Sequence, residues 1–106
     1  MTTASAALPL PVLPEAIRGL VARLGAEPSV RRVILFGSRA RGDAGPRSDV
    51  DLAVEGPDLT ARNWLRLADL TEEVATLLKV DLVRLEEAPP ELRARIESEG
   101  RTLHER

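Results

Sequence analysis

Two aspartates one residue apart, Asp49 and Asp51, are the side chains of this sequence best suited to holding a cation. They lie in Ser48-Asp49-Val50-Asp51-Leu52-Ala53-Val54. A strand sends alternate side chains to opposite faces, so Val50, Leu52 and Val54 share one face and Asp49, Asp51 and Ala53 the other. Adjacent carboxylates repel unless something positive lies between them. Hard oxygen ligands of this kind suit Mg²⁺, which completes its shell with water and substrate phosphate. A nucleoside triphosphate would supply that phosphate. Ten residues separate Asp49 from Gly37-Ser38, which closes the apolar run Val33-Ile34-Leu35-Phe36. Gly37 lets backbone approach a phosphate without a Cβ in the way. Ser38 adds a hydroxyl where a helix can begin, its leading amides facing an anion. Arg39 and Arg41 offer charge-assisted contacts to phosphate oxygens. A Gly-Ser pair alone is an ordinary turn, and aspartates at alternate positions alone are a solvated sheet face. Together, on strand, turn and strand, they describe a phosphate cradle facing a metal site.

The flanking sequence supplies elements to position these residues. Leu13, Ile17, Leu20, Val21 and Leu24 recur at helical spacing, with Pro14 and Glu15 at the start and Gly25 as the expected C-terminal cap. The run Val33 to Phe36 fits a strand buried on both faces. Asp43 to Arg47 is a loop delivering the chain to Asp49. Glu55-Gly56-Pro57 ends that strand, and Asp58 or Thr60 can cap a long helix to about Leu78, with Trp64, Leu67, Leu70, Val74, Leu77 and Leu78 as its apolar stripe. Its place on the stripe makes Trp64 a core or partner-facing residue rather than a base-stacking one. A strand is expected over Val80 to Leu85, where Asp81 stands between Val80 and Leu82 as Asp51 stands between Val50 and Leu52. An aspartate opening a strand reads by itself as exposed, with Lys79 beside it to offset charge or touch phosphate. Pro89-Pro90 starts a last helix, Gly100 closes it, and 101–106 forms a short terminal strand. The proline-punctuated residues 1–12 read as a loose tail, leaving 13–106 as one domain.

Composition limits the functions available. A chain of 106 residues builds one core, which excludes a multidomain polymerase. With 43% hydrophobic and 30% charged residues it is globular. Phe36 and Trp64 are its only aromatics, too few for a stacking platform, and the net charge of −2 gives no field to draw in nucleic acid or anionic membrane. There is no cysteine, hence no disulfide, thiolate metal site or cysteine nucleophile; with no apolar run long enough to cross a bilayer and no signal-peptide pattern, the expected location is the cytoplasm. The lone histidine, His104, reads as structural or solvated.

Gly37-Ser38, the spacing to Asp49-Val50-Asp51, Arg41-Gly42 within the loop and Ser48 before the first aspartate resemble the signature of the DNA polymerase β-like nucleotidyltransferase superfamily. Within it the chain resembles the minimal nucleotidyltransferases, small single-domain proteins that often act as the antitoxin of a HEPN toxin. The resemblance implies an α/β nucleotidyltransferase palm with a short mixed sheet backed by helices. It implies Asp81 as a third acidic ligand, because the family carries one on the strand after the long helix. It further implies Mg²⁺ on Asp49, Asp51 and Asp81, phosphates on Gly37 and Ser38 with Arg39 and Arg41 in support, and transfer of AMP from ATP to a hydroxyl, a tyrosine of the HEPN toxin partner. HEPN proteins carry an arginine four to six residues before a histidine, and no arginine precedes His104 at that distance, so this is the transferase half of such a pair. Two other functions are compatible with the same residues. One is an antitoxin that masks its toxin by binding alone; the other is a transferase acting on a small molecule such as an aminoglycoside.

Overall fold

The computed structural model describes residues 13–45, 48–74 and 78–106. The expected tail at 1–12 and the Leu77 position of the helical stripe lie outside them. In chain order the elements are α1 (Glu15–Gly25), β1 (Arg32–Phe36), the one-turn α2 (Ser38–Arg41), β2 (Val50–Glu55), α3 (Ala61–Val74), β3 (Val80–Arg84), a 3₁₀ turn (Leu85–Glu87), α4 (Pro90–Glu99) and β4 (Arg101–Glu105). The four strands form one sheet in the order β3-β2-β1-β4. The β1–β2 and β1–β4 pairs are antiparallel and β2–β3 is parallel, so the expected short mixed sheet is present. Among the described residues no helix is long and apolar enough to cross a membrane.

The alternation of the strands decides which helix each side chain meets. Val33 and Leu35 of β1 and Val50, Leu52 and Val54 of β2 pack with Ile17, Leu20, Val21 and Leu24 of α1 and Leu67 of α3. Burying each of these aliphatic side chains contributes about 1.5–3 kcal/mol, so this layer carries most of the core. The opposite face, with Ile34, Phe36 and Ala53, meets only Ile96 and Leu92 of α4 together with Leu85 and Val83. One helix does not cover a four-stranded sheet. The part of this thin side left open carries Asp51 and Asp81, each at the alternate parity to its apolar neighbours.

Several element ends differ from expectation for physical reasons. The strand over Val80 to Leu85 stops at Arg84, because fully buried Leu85 turns into the 3₁₀ segment and joins the α4 layer. Only Leu67 and Thr71 of α3 are buried; Trp64, Leu70 and Val74 lean on the core from the side. Gly25 ends α1 without a left-handed cap, since Ala26 after it is still right-handed. What requires glycine there is space: a Cβ would stand 2.7 Å from the ring of His104. A bulge in the β1–β4 ladder between Val33 and Ile34 brings both Leu103 and His104 to the α1 side, giving His104 the structural role.

Candidate active site

The site forms where the C-terminal end of β1 meets the N-terminal ends of β2 and β3. Phe36 is the register partner of Asp51 across the antiparallel ladder, and Asp81 is its partner across the parallel one. Cross-strand partners share a face and stand close together, so two carboxylates thirty positions apart in sequence become neighbours. Directly after Phe36 the chain turns at Gly37 with φ +77°, a left-handed conformation that disfavours side chains, and a Cβ there would collide with the Asp51 carboxylate. Gly37 is therefore demanded twice, by its backbone and by what it faces. Asp49 is exposed and lies one residue before β2, at its entry rather than within it. Its neighbour Val50 donates its N–H to the carbonyl of Lys79 at 2.9 Å.

Burial and like charges dominate the electrostatics of Asp51. Burial, the charges of Asp81 and Asp49 and a hydrogen bond with Asp81 push the Asp51 carboxyl above its ordinary value; Lys79 pulls the other way. Lys79 Nζ lies 4.0 Å from Asp81 Oδ1, and both side chains are largely solvated, so its screening is weak. Asp51 and Asp81 thus form a carboxylate pair that favours sharing a positive charge. Their donors are all hard oxygens, which fits a divalent cation that also takes water and phosphate. Among the described residues no three His, Cys, Asp or Glu side chains gather as a metal-holding group. The pair is assembled, and Asp49 stands beside it without joining a three-carboxylate cluster.

The turn after Gly37 is short and tightly tied. Ala40 and Arg41 donate their N–H groups to the Gly37 carbonyl, and Gly42, with φ +88°, closes the turn by donating to the Ser38 carbonyl. Arg39 Nε donates to the Ser48 carbonyl at 3.1 Å. Arg41 Nε donates to Asp43 at 3.2 Å, and its Nη1 lies 3.5 Å from Glu99 at the end of α4. Both guanidinium groups expected at phosphate are thus engaged with protein, one on the loop entering β2 and one on α4.

A family model described as polymerase β, nucleotidyltransferase matches residues 20–106. The chain belongs to the polymerase β nucleotidyltransferase family. Solved structures agree. One provisionally described as a minimal nucleotidyltransferase is 36% identical with a TM-score of 0.63, covering 83% of this chain and 90% of its own. A toxin–antitoxin structure with AMP-PNP is 28% identical with a TM-score of 0.68, covering 84% and 73%. A complex of a tri-AMPylated HEPN toxin with an MNT antitoxin from Shewanella oneidensis is 27% identical with a TM-score of 0.60, covering 85% and 67%. No curated protein sequence matches. The nucleotidyltransferase superfamily generally uses a divalent metal.

Seen as a nucleotidyltransferase domain, the structure brings Gly37, Asp51 and Asp81 together, with Ser38 following and Asp49 at the rim. Reading the sequence alone misses Glu99 as a partner of Arg41 and the Ser48 carbonyl as the partner of Arg39. No local pattern announces either contact, because each joins separate elements. A cleft of about 210 Å³ lies at the other end of the sheet, lined by Arg31, Arg32, Glu55, Glu105 and Arg106. There Arg32 is bound by Glu55 and Glu97, and Arg106 donates to the carbonyls of Gly25, Glu27 and Val30.

Proposed function

We propose that this chain is the antitoxin of a HEPN-type toxin and silences it by transferring AMP from ATP to a hydroxyl of that partner, a tyrosine. The observation that carries the reading is the Asp51–Asp81 pair directly against the Gly37 turn. There the Gly37 backbone stands against the Asp51 carboxylate, whose register partner is Asp81. The toxin–antitoxin complexes similar to this chain, one with AMP-PNP and one with an AMPylated toxin, support the choice of nucleotide and partner.

In the proposed reaction Gly37 and Ser38 hold the β and γ phosphates, and Asp49, Asp51 and Asp81 hold Mg²⁺. Bound there, the cation offsets charge on the triphosphate and at the α-phosphorus. The partner's hydroxyl oxygen forms the new bond to the α-phosphorus, the bond to the bridging oxygen breaks, and pyrophosphate leaves. Asp81, about half exposed at the open edge of the sheet, receives the hydroxyl proton. Arg39 and Arg41 reach phosphate only by exchanging their present partners. Positioning and electrostatics supply most of the acceleration, since phosphoryl chemistry asks little covalent work of the protein.

The test is transfer from ATP labelled at the α or the γ phosphate to the co-purified partner, with Asp51→Asn alongside. Label reaching the partner only from the α position and only with the unaltered chain supports the reading. A partner that is bound and silenced by both proteins without label indicates masking. Label appearing on a small acceptor with the isolated chain indicates the small-molecule alternative.

A further inference from the structure

We propose that Arg39 is a positioning residue for Asp49: it sets the affinity for the divalent cation by clamping the loop that enters β2. This rests on Asp49 and Asp51 being metal ligands. Asp49 is exposed and sits outside the strand. A carboxylate on an untethered loop would lose conformational entropy on joining a metal.

The chain around Asp49 is pinned on both sides. After it, the Val50 N–H bonds to the Lys79 carbonyl at 2.9 Å, the first rung toward β3. Before it, the Ser48 carbonyl accepts from Arg39 Nε at 3.1 Å. Ser48 is itself locked to Gly45 by a reciprocal pair, its N–H donating to the Gly45 carbonyl at 3.1 Å and its Oγ accepting the Gly45 N–H at 2.9 Å. Arg39 belongs to α2, whose turn begins at Gly37, the residue that faces Asp51. One short turn therefore positions both aspartates: Gly37 by direct contact with Asp51, and Arg39 through the Ser48 carbonyl to Asp49. The bond uses Nε, which lysine lacks, so charge alone does not replace it. Outer groups that orient metal ligands commonly alter metal affinity by about 10- to 100-fold when removed.

The test is Mn²⁺ titration of the full chain without nucleotide, with free metal read by electron paramagnetic resonance. Arg39→Gln and Arg39→Lys are each expected to weaken Mn²⁺ binding about tenfold. Asp49→Asn weakens it too, and adding Arg39→Gln to Asp49→Asn produces no further loss, because the arginine acts through that carboxylate. Ser48→Ala, which removes the acceptor for the Gly45 N–H, moves affinity the same way by less. A general loosening of the fold would give additive losses and lowered melting temperatures instead, and that result overturns the clamp. So does wild-type affinity in Arg39→Lys, which would show that charge suffices. Binding abolished by Asp51→Asn but untouched by either Arg39 substitution overturns the clamp and leaves the metal site standing. No Mn²⁺ binding by the unaltered chain overturns both.

Discussion

The two ends of the β1–β2 ladder carry acidic residues in opposite circumstances. At one end Arg32 faces Glu55 in register, with Arg32 Nε donating to Glu55 at 2.6 Å and a second carboxylate, Glu97, at 3.3 Å. The hydrogen bond from Arg32 holds Glu55 below its ordinary range, and its hydrogen bond and charge raise Arg32 in turn despite burial. Four rungs along, Asp51 faces Phe36, with only another carboxylate across the β3 side. Burial and like charge push it upward. The same sheet thus places a satisfied ion pair at one end and an unsatisfied pair at the other. Only the unsatisfied end gains from an incoming cation. The cleft lined by Arg31, Arg32, Glu55, Glu105 and Arg106 lies at the satisfied end, where Arg32, Glu55 and Arg106 already have partners.

The sharpest way to break this contrast is Asp51→Asn. Transfer should fall by on the order of 10²–10³-fold or more, read with α-labelled ATP. The metal-free fold should hold and melt at a higher temperature, because a repelling carboxylate is gone. A lower melting temperature in metal-free buffer would mean that Asp51 is a structural group like Glu55.

Gly37→Ala should cost both folding and function. The left-handed φ alone costs about 1–3 kcal/mol for a residue with a side chain, and the new methyl pushes the Asp51 carboxylate from its place. Denaturant unfolding and Mn²⁺ affinity should both decline. Unchanged metal affinity would show that Asp51 tolerates displacement and would weaken the coupling between turn and strand.

Glu55→Gln is the matched change at the satisfied end, with stability falling by about 1–2 kcal/mol and transfer unchanged. The pH dependence of unfolding sharpens the comparison, because the two acids act with opposite sign. The folded Glu55 carboxyl lies below its ordinary 4.5, so its contribution is present above that pH and is lost as pH falls through the folded value. The Asp51 carboxyl lies above its ordinary 3.8, so its contribution is present below that pH and fades as pH rises through the folded value. Glu55→Gln should flatten the acid limb of stability against pH, and Asp51→Asn should steepen the gain with rising pH. Parallel shifts in both variants would mean that the two ends are not electrostatically distinct.

Much of the candidate site is legible without the structure because its logic is local. Alternation along Val50 to Val54 assigns faces whatever the strand pairs with, and Gly37-Ser38 after four apolar residues marks a turn off a buried strand; Asp49, read as part of the same strand, lies just before it. The α/β class followed from the same periodicities. Resemblance, not spacing, nominated Asp81, and only the parallel β2–β3 register set it beside Asp51.

Other assignments needed the closed fold. Gly25 reads as a helix cap from its neighbours, yet His104, arriving on the last strand, is what requires glycine there. Arg39 and Arg41 read as phosphate ligands from their position after the turn; that the Ser48 carbonyl accepts from Arg39, and that Glu99 joins the nearby Asp43 beside Arg41, comes from the fold. Side-chain period and backbone propensity act over a few residues and are written in the sequence. A guanidinium takes whichever acceptor the finished packing brings within 3 Å or so, and that choice is made only when distant elements meet.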